Sequence, residues 1–195
     1  MKRGFDLMAS VALGAILGLP LLLVAIALRV RQGRGIVFRQ QRMGQHGRPF
    51  DILKFRTMRP QQEGDSAITA GEGDHRVTAI GAVLRRYRID EWPQLWNVAK
   101  GEMSLVGPRP EVPEFVDLSA PEWQLILQVR PGITGPDALA FKDEGDILGA
   151  AADPKACYRQ DILPQKMAIQ ARYAKERSFG GDLKVLFRTL GALRG

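Results

Sequence analysis

The sequence predicts an α+β fold that is mainly helical and carries one membrane-embedded helix near its N-terminal end. Three observations predict it. The 22 residues from Leu7 to Leu28 contain no charged side chain. Two short apolar segments flank a glycine-containing turn, and several later stretches place apolar residues at helical spacing. With 195 residues, of which 45% are hydrophobic, the chain can form one domain with a packed core.

The uncharged segment is long enough to cross a membrane. As a helix, its 22 residues would extend about 33 Å at roughly 1.5 Å per residue, and the hydrocarbon core of a bilayer is about 30 Å thick. Basic residues flank the segment on both sides: Lys2 and Arg3 precede it, and Arg29, Arg31 and Arg34 follow it. Because basic flanks prefer the cytoplasmic side, both ends are expected at the cytoplasmic face.

Pro20 lies just past the middle of this segment, where it removes a backbone donor and predicts a kink. The kink and the flanking charge together favour a re-entrant helix that enters and leaves the membrane on one face. Two alternatives stay open. A kinked helix that spans the bilayer would violate the charge rule at one end. A secretory signal peptide would explain Ala25-Ile26-Ala27, which resembles a cleavage site, although the apolar run is long for one.

The positive charge of the chain is concentrated in one region. The net charge is +7. Between residues 29 and 59 the only acidic residue is Asp51, against the basic residues Arg29, Arg31, Arg34, Arg39, Arg42, Arg48, Lys54, Arg56 and Arg59. Such a block suits an anionic partner: lipid headgroups, nucleotide diphosphates or nucleic acid. Nucleic acid is disfavoured, because the sequence shows no aromatic-rich surface for it.

A small β-hairpin is predicted from Ile36–Phe38 and Phe50–Phe55, with Gly44 and Gly47 in the connection. Lys54 and Arg56 alternate along the second strand, so both would point to one face and could bind a phosphate. The polar stretch from residue 61 to residue 74 predicts a mobile loop. The single cysteine, Cys157, excludes an internal disulfide.

Two adjacent carboxylates, Asp90 and Glu91, follow a helix predicted to begin near Thr78. Asp90 could cap the next helix, with Pro93 in its first turn and Gly101 just past its end. Side-by-side carboxylates repel each other, so cations must accompany them, and a phosphate and metal site is one interpretation. The other interpretation is a solvated helix start.

Two proline–glycine turns follow, "GPRPEVPEF" and "VRPGITGP", and each carries one arginine, Arg109 or Arg130. Rigid turns of this kind can hold an arginine fork steady for a phosphate. From Pro164 onward the sequence predicts helices, with a break at Gly180-Gly181 and a last amphipathic segment over Asp182–Leu193.

The ordered set "KRGFD", "LKFRTM", "IDEWPQLWNVAKGEMSLVGPRP" and "VRPGITG" resembles the small monotopic phosphoglycosyl transferases of the bacterial sugar transferase family. The resemblance covers essentially the whole chain. It implies transfer of a sugar 1-phosphate from a UDP-sugar to polyprenol (undecaprenyl) phosphate with release of UMP, the first step of glycoconjugate or polysaccharide assembly. It places the protein on the cytoplasmic face of the bacterial inner membrane as a monotopic protein.

The resemblance also assigns roles. Asp90 would be the nucleophile that forms an aspartyl-phosphosugar, Glu91 would act as a metal ligand, a base, or both, and the two carboxylates would hold magnesium. Lys54, Arg56, Arg109 and Arg130 match basic positions of the family, and Arg76, Arg85, Arg86 and Arg88 add charge just before the carboxylates. The predicted substrate-binding residues are Lys54, Arg56, Arg76, Arg85, Arg109 and Arg130.

The predicted division of the chain is a re-entrant membrane helix with its basic flank over residues 1–34 and a cytoplasmic, membrane-associated catalytic domain over residues 35–195. Amphipathic helices would lie at the membrane interface around the catalytic core. The expected partners are the UDP-sugar, polyprenol phosphate and membrane lipid, with a homodimer left open. Two features depart from the family: Leu19 stands where many members have serine before the proline, and "PDALAFKDEGDIL" follows "RPGITG". The second departure suggests a different sugar or acceptor pocket.

Alternatives remain at this stage. One is a membrane-anchored protein that binds lipid or nucleic acid without catalysis. Another is an enzyme of the same fold that transfers a plain phosphate or hydrolyses nucleotide sugars.

Overall fold

The structure is a computed structural model, and it describes residues 2–60 and 74–192. Helices dominate these residues, as the sequence predicts. In chain order the elements are α1 (Lys2–Gln32), β1 (Val37–Met43), β2 (Pro49–Phe55), α2 (Ala79–Arg86), α3 (Gln94–Lys100), β3 (Ser104–Val106), α4 (Pro121–Ile126), β4 (Gly132–Thr134), α5 (Pro136–Ala140), α6 (Glu144–Ala150), α7 (Pro154–Cys157), α8 (Leu163–Glu176) and α9 (Phe179–Ala192). The predicted loop of residues 61–74 lies, except for Asp74, outside the described residues.

Helix α1 confirms the long apolar helix, and it continues through Pro20. Its middle is exposed to the surroundings: Ile16 is 71% and Leu19 67% accessible. Of the helices in the described part of the chain, it is the one whose length and composition suffice to cross a membrane. Its C-terminal half instead packs on the protein, where Leu28 is fully buried in a cluster with Phe55 and Leu84. The kink at Pro20 and the re-entrant path stay predictions.

The predicted β-hairpin is confirmed, and its strands are longer than expected. β1 pairs antiparallel with β2, from Val37 opposite Phe55 to Met43 opposite Pro49. The turn is therefore confined to Gly44–Arg48, where His46 and Gly47 have positive φ angles of 59° and 69°. The strands extend into the polar sequence because backbone pairing does not require apolar side chains on an exposed face.

The two proline–glycine turns meet in a short parallel pair of strands. β3 pairs with β4, and the Gly107 N–H donates to the Thr134 carbonyl at 2.9 Å. Gly107 is required there, because a Cβ at this position would lie 2.4 Å from the Arg130 carbonyl oxygen. This contact fixes the start of the Gly-Pro-Arg-Pro loop, Gly107–Pro110, against the second turn.

Helix ends follow local rules where a cap is available. Helix α2 begins directly after Thr78, as predicted, and Thr78 caps it by accepting a hydrogen bond from the Gly81 N–H at 3.1 Å. The predicted break at Gly180-Gly181 is wrong, because α9 begins at Phe179 and runs through both glycines. The chain breaks instead at Ser178, whose hydroxyl accepts from the Gly181 N–H at 3.1 Å and so caps α9.

Buried apolar side chains of residues 2–60 and 74–192 form three clusters. One joins β2, α3 and β3 to α8 and surrounds Met103, which is fully buried. A second lies among α4, α6 and α8 around Trp123. The third, around Leu28, attaches α1 to β2 and α2. The first and third clusters flank the 3₁₀ turn Ile89–Glu91, which carries the adjacent carboxylates.

Candidate active site

The two adjacent carboxylates are buried on a tight turn. Asp90 is 8% and Glu91 6% exposed, and both lie in the 3₁₀ turn that precedes α3. The prediction that Asp90 caps α3 is wrong: Pro93 occupies the cap position and no side chain caps the helix. Gly101 ends α3 with a φ of 89°, as predicted.

Glu91 is held by two cations from distant parts of the chain. Its Oε1 accepts a hydrogen bond from Lys54 Nζ at 2.9 Å and one from Arg109 Nη2 at 2.7 Å. Burial alone would raise the pKa of Glu91, but the charges of Arg109 and Lys54 and their hydrogen bonds outweigh it and hold the pKa far below its usual range. Glu91 is therefore ionised at any pH at which the protein would function.

Asp90 has a different environment from its neighbour. Among the described residues it accepts no side-chain hydrogen bond and forms no ion pair within 4 Å. Burial, followed by the negative charge of Glu91, raises the pKa of Asp90, and the charges of Lys54, Arg85 and Arg109 only partly oppose this. Two neighbouring carboxylates thus have opposite pKa shifts, which is the pattern expected when they have different chemical roles.

The elements that carry the two cations explain why they meet. Lys54 stands near the end of β2, and burial lowers the pKa of its ammonium group although Glu91 opposes this shift. Arg109 stands in the Gly-Pro-Arg-Pro loop directly after β3, and the charge of Glu91 raises its pKa. Lys54 and Arg109, both predicted cations, therefore contact Glu91.

The other four predicted cations are placed differently. Arg85 lies on α2, and its charge acts on Asp90 without a hydrogen bond. Arg56 faces the Arg34 carbonyl at 3.5 Å. Arg76 donates to both carboxylate oxygens of Asp74, at 2.9 and 2.6 Å. Arg130 donates from Nε to the carbonyl of Gly101 at 2.9 Å, at the C-terminal end of α3. Neither Arg56, Arg76 nor Arg130 contacts Asp90 or Glu91 in the structure.

A further cation, Arg88, lies close to the carboxylates but was not among the predicted substrate-binding residues. Arg88 adopts a left-handed conformation, with φ 53° and ψ 24°, directly before the turn. Its Nη1 lies 3.8 Å from Glu91 Oε2. A left-handed backbone at a residue with a long side chain is strained, and such strain is often found at functional sites. The sequence gives no signal for it, since neither glycine nor asparagine marks the position.

Asp90 and Glu91 are the candidate metal ligands of the site. In residues 2–60 and 74–192, no three side chains of His, Cys, Asp or Glu converge as a ready-made metal site. Within these ranges, the carboxylate oxygens of Asp90 and the Oε2 atom of Glu91 accept no hydrogen bond from a side chain. Mg²⁺ is commonly bound by one or two carboxylates completed by substrate phosphates and water. The pair Asp90 and Glu91 fits that kind of site.

Comparison with known proteins decides the family. A model of the family described as "Bacterial sugar transferase" matches residues 1–194. The chain belongs to the bacterial sugar transferase family. These are phosphoglycosyl transferases, so the family consists of enzymes.

Characterised relatives carry matching names. The chain is 37% identical over 98% of its length to a UDP-glucose:undecaprenyl-phosphate glucose-1-phosphate transferase of Caulobacter vibrioides, and it covers 69% of that protein. It is 36% identical to a UDP-N-acetylgalactosamine-undecaprenyl-phosphate N-acetylgalactosaminephosphotransferase of Aeromonas hydrophila, of which it covers 43%. It is also 36% identical to an undecaprenyl-phosphate glucose phosphotransferase of Komagataeibacter xylinus, of which it covers 35%. The chain thus spans less than half the length of two of these relatives.

Proposed function

We propose that this protein transfers a sugar 1-phosphate from a UDP-sugar to polyprenol phosphate, releases UMP, and passes through a covalent intermediate on Asp90. The observation that carries the proposal is the contrast within the pair. Glu91 is bound to Lys54 and Arg109, whereas Asp90 is buried beside them and its side chain has no hydrogen-bond partner among the residues that the structure describes. An unpaired carboxylate is free to attack, and a paired one is not.

In the first step, a carboxylate oxygen of Asp90 attacks the phosphorus that bears the sugar. A bond forms between this oxygen and the phosphorus, the bond from the phosphorus to the UMP oxygen breaks, and UMP leaves with its electron pair. In the second step, a phosphate oxygen of polyprenol phosphate attacks the same phosphorus. The bond to Asp90 breaks, which restores the carboxylate and yields the polyprenyl diphosphosugar.

The cations around the pair supply the electrostatics of both steps. Lys54, Arg88 and Arg109 lie within 4 Å of Glu91, and Arg85 acts on Asp90, so four positive charges face two negative ones. This excess favours a diphosphate and the charge that develops on a transferring phosphoryl group. Because Glu91 stays ionised and bound to cations, it is a poor proton acceptor. We therefore assign it to organising Lys54 and Arg109 and to metal binding, not to base catalysis.

Magnesium completes the proposal. Asp90 and Glu91 Oε2 would hold it together with phosphate oxygens of the donor, in the manner described above for carboxylate pairs. Bound there, Mg²⁺ would neutralise phosphate charge and allow the carboxylate of Asp90 to approach an anionic donor.

The attachment of α1 supports a monotopic arrangement, which we propose lies on the cytoplasmic face of the inner membrane because basic residues flank the apolar segment on both sides. Near its N-terminal end, Arg3 donates to the carbonyls of Val98 and Ala99 at 2.6 and 2.9 Å. Near its C-terminal end, Gln32 donates to the Thr78 hydroxyl at 3.0 Å. Both ends thus contact the same polar body. A helix that crossed the bilayer would have to give up one set of these contacts, which supports the re-entrant path.

The activity is tested with detergent-solubilised protein, Mg²⁺, polyprenol phosphate and a panel of UDP-sugars. We expect UMP and a lipid-linked product with at least one sugar, and neither with Asp90→Asn. Asp51→Asn, at an exposed position on β2, is the matched control and should retain activity. UMP without lipid product would instead favour a hydrolase, and an active Asp90→Asn variant would contradict the proposal.

The topology is tested by cysteine labelling in a Cys157→Ser background. Gly4→Cys and Arg34→Cys place single thiols before and after the apolar segment, and a Cβ at Gly4 meets no other atom within 4 Å. We expect a membrane-impermeant maleimide to label both positions from the cytoplasmic side only. Labelling from opposite sides would establish a spanning helix.

A further inference from the structure

In the Gly-Pro-Arg-Pro loop, the residue that contacts Glu91, Arg109, has a backbone N–H that can donate a hydrogen bond. Arg109 stands between Pro108 and Pro110, and proline has no N–H. The Arg109 N–H is therefore the one point at which a hydrogen bond can hold the amide side of this Pro-Arg-Pro segment. The orientation of that peptide sets the direction in which the guanidinium leaves the loop toward Glu91.

Two buried side chains hold the backbone of Arg109 on both sides. The Arg109 N–H donates to Asp137 Oδ2 at 3.1 Å. The Arg109 carbonyl accepts from Gln170 Nε2 at 3.3 Å. Gln170 Nε2 also donates to Asp137 Oδ2 at 2.6 Å, so the two side chains and the Arg109 peptide units form a closed ring of hydrogen bonds.

Neither side chain has an evident reason to be polar other than this clamp. Asp137 is fully buried on α5, and Gln170 is 2% exposed on α8. The second carboxylate oxygen of Asp137, Oδ1, and the amide oxygen of Gln170, Oε1, are buried and have no hydrogen-bond partner in the described part of the chain. Buried unpaired acceptors reduce stability. Stability alone does not explain why this clamp contains two unpaired acceptors. A need to fix the orientation of the Arg109 backbone explains it.

We propose that Asp137 and Gln170 are positioning residues, which set the Arg109 guanidinium on Glu91 by fixing the Arg109 backbone. The catalytic consequence of this positioning rests on the proposed phosphoglycosyl transfer. Asp137 belongs to the segment "PDALAFKDEGDIL", where this chain departs from the family pattern it otherwise resembles, and no sequence motif singled out either residue. The negative charge of Asp137 also contributes to the raised pKa of Arg109.

The two substitutions at Asp137 separate positioning from charge. Asp137→Asn keeps an oxygen that can accept from both Arg109 and Gln170, whereas Asp137→Ala removes it. We expect Asp137→Ala to lower kcat/KM for UMP release by about 10- to 100-fold, mainly through kcat, because a small displacement of a group that stabilises the transition state has a cost of this order. Asp137→Asn should retain most of the wild-type value. Gln170→Ala should resemble Asp137→Ala and serves as the second variant if that one does not fold.

A double-mutant cycle with Arg109→Ala identifies the route of the effect. If Asp137 acts through Arg109, Asp137→Ala has no further effect once Arg109 is alanine. Asp182→Ala is the matched control: it removes another buried carboxylate, which binds Lys2 and Tyr173 at 2.5 and 2.6 Å, and its effect should add to that of Arg109→Ala. Additivity for Asp137→Ala as well would overturn the proposal.

A readout independent of activity comes from ¹⁵N-arginine labelling in micelles. The guanidinium signal of Arg109, assigned by its loss in Arg109→Lys, should show slow rotation in wild type and Asp137→Asn and fast rotation in Asp137→Ala. If wild type releases no UMP, the proposed function fails while this spectrum still decides the positioning role. If wild type is active and Asp137→Ala changes neither the spectrum nor the rate, the positioning role alone fails.

Discussion

Neutralising the two adjacent carboxylates should change the stability of the protein in opposite directions. Glu91→Gln removes a charge that accepts two hydrogen bonds from cations, at 2.7 and 2.9 Å. Hydrogen bonds to charged groups contribute more than neutral ones, and a buried cation without its partner adds a penalty. Because the side chains of Lys54 and Arg109 are 20% and 30% exposed, water relieves part of that penalty. We estimate a loss of about 2–3 kcal/mol.

Asp90→Asn should have the opposite sign. The pKa of Asp90 is raised, so its charged form is less favourable in the folded protein than in the unfolded chain. Neutralising it should raise the melting temperature at pH 7 while abolishing activity.

The assay is thermal unfolding of detergent-solubilised variants, followed by tryptophan fluorescence. For a chain of this length, 2–3 kcal/mol corresponds to a decrease in Tm of about 4–12 °C for Glu91→Gln. Glu114→Gln is the control, because Glu114 also pairs with two cations, Lys155 and Arg159, but at the surface. Such exposed pairs contribute little, so its Tm should match wild type. A decrease in Glu114→Gln as large as in Glu91→Gln, or a decrease in Asp90→Asn, would refute the reasoning.

The stability difference between wild type and Glu91→Gln should also depend on pH. The pKa of Glu91 is lowered on folding, so its stabilising contribution is complete above the unfolded pKa of about 4.3 and is lost as the pH falls toward the folded pKa. The Tm difference between wild type and Glu91→Gln should therefore be constant at neutral pH and shrink below about pH 4.3.

Three further predictions concern the pH dependence of activity, the packing of α1 and the metal. UMP release should decline as the pH falls through the raised pKa of Asp90, which lies above the ordinary aspartate value of about 3.9. Arg85→Gln should move this decline to higher pH, because the charge of Arg85 lowers the Asp90 pKa. Leu28→Ala should destabilise the protein by about 2–5 kcal/mol, since Leu28 is fully buried, whereas Ile26→Ala, at a 51% exposed position, should have a small effect in the same melting assay. EDTA should abolish UMP release but leave the Tm without donor nearly unchanged, because two carboxylates alone bind Mg²⁺ weakly.

Local features of the fold could be predicted from the sequence because their causes are local. The apolar run specifies α1 by composition, the helical spacing of apolar residues after Thr78 specifies α2, and Gly101 ends α3 with a positive φ. The parallel pairing of β3 with β4 was not predicted, since it joins residues far apart in the chain. The break before α9 was misplaced because a serine cap outweighed two glycines that a helix can tolerate.

The carboxylates of the candidate site could be predicted from the sequence, whereas which of the six predicted cations contact them could not. Asp90 and Glu91 are neighbours in the chain, so their proximity needs no fold. Lys54 and Arg109 reach Glu91 over sequence separations of 37 and 18 residues. Arg130 has the same kind of turn context as Arg109, yet it donates to the Gly101 carbonyl at the end of α3, and nothing in the sequence distinguishes the two arginines in this respect. The positioning residues on α5 and α8 carry no motif at all.

The most direct test of the central claim is mass spectrometry of the protein after reaction with a UDP-sugar and Mg²⁺ in the absence of polyprenol phosphate. We predict one phosphosugar adduct per chain, located on the peptide that contains Asp90, which disappears when polyprenol phosphate is added. UMP release with no adduct at any time, or an adduct on a different residue, would contradict it.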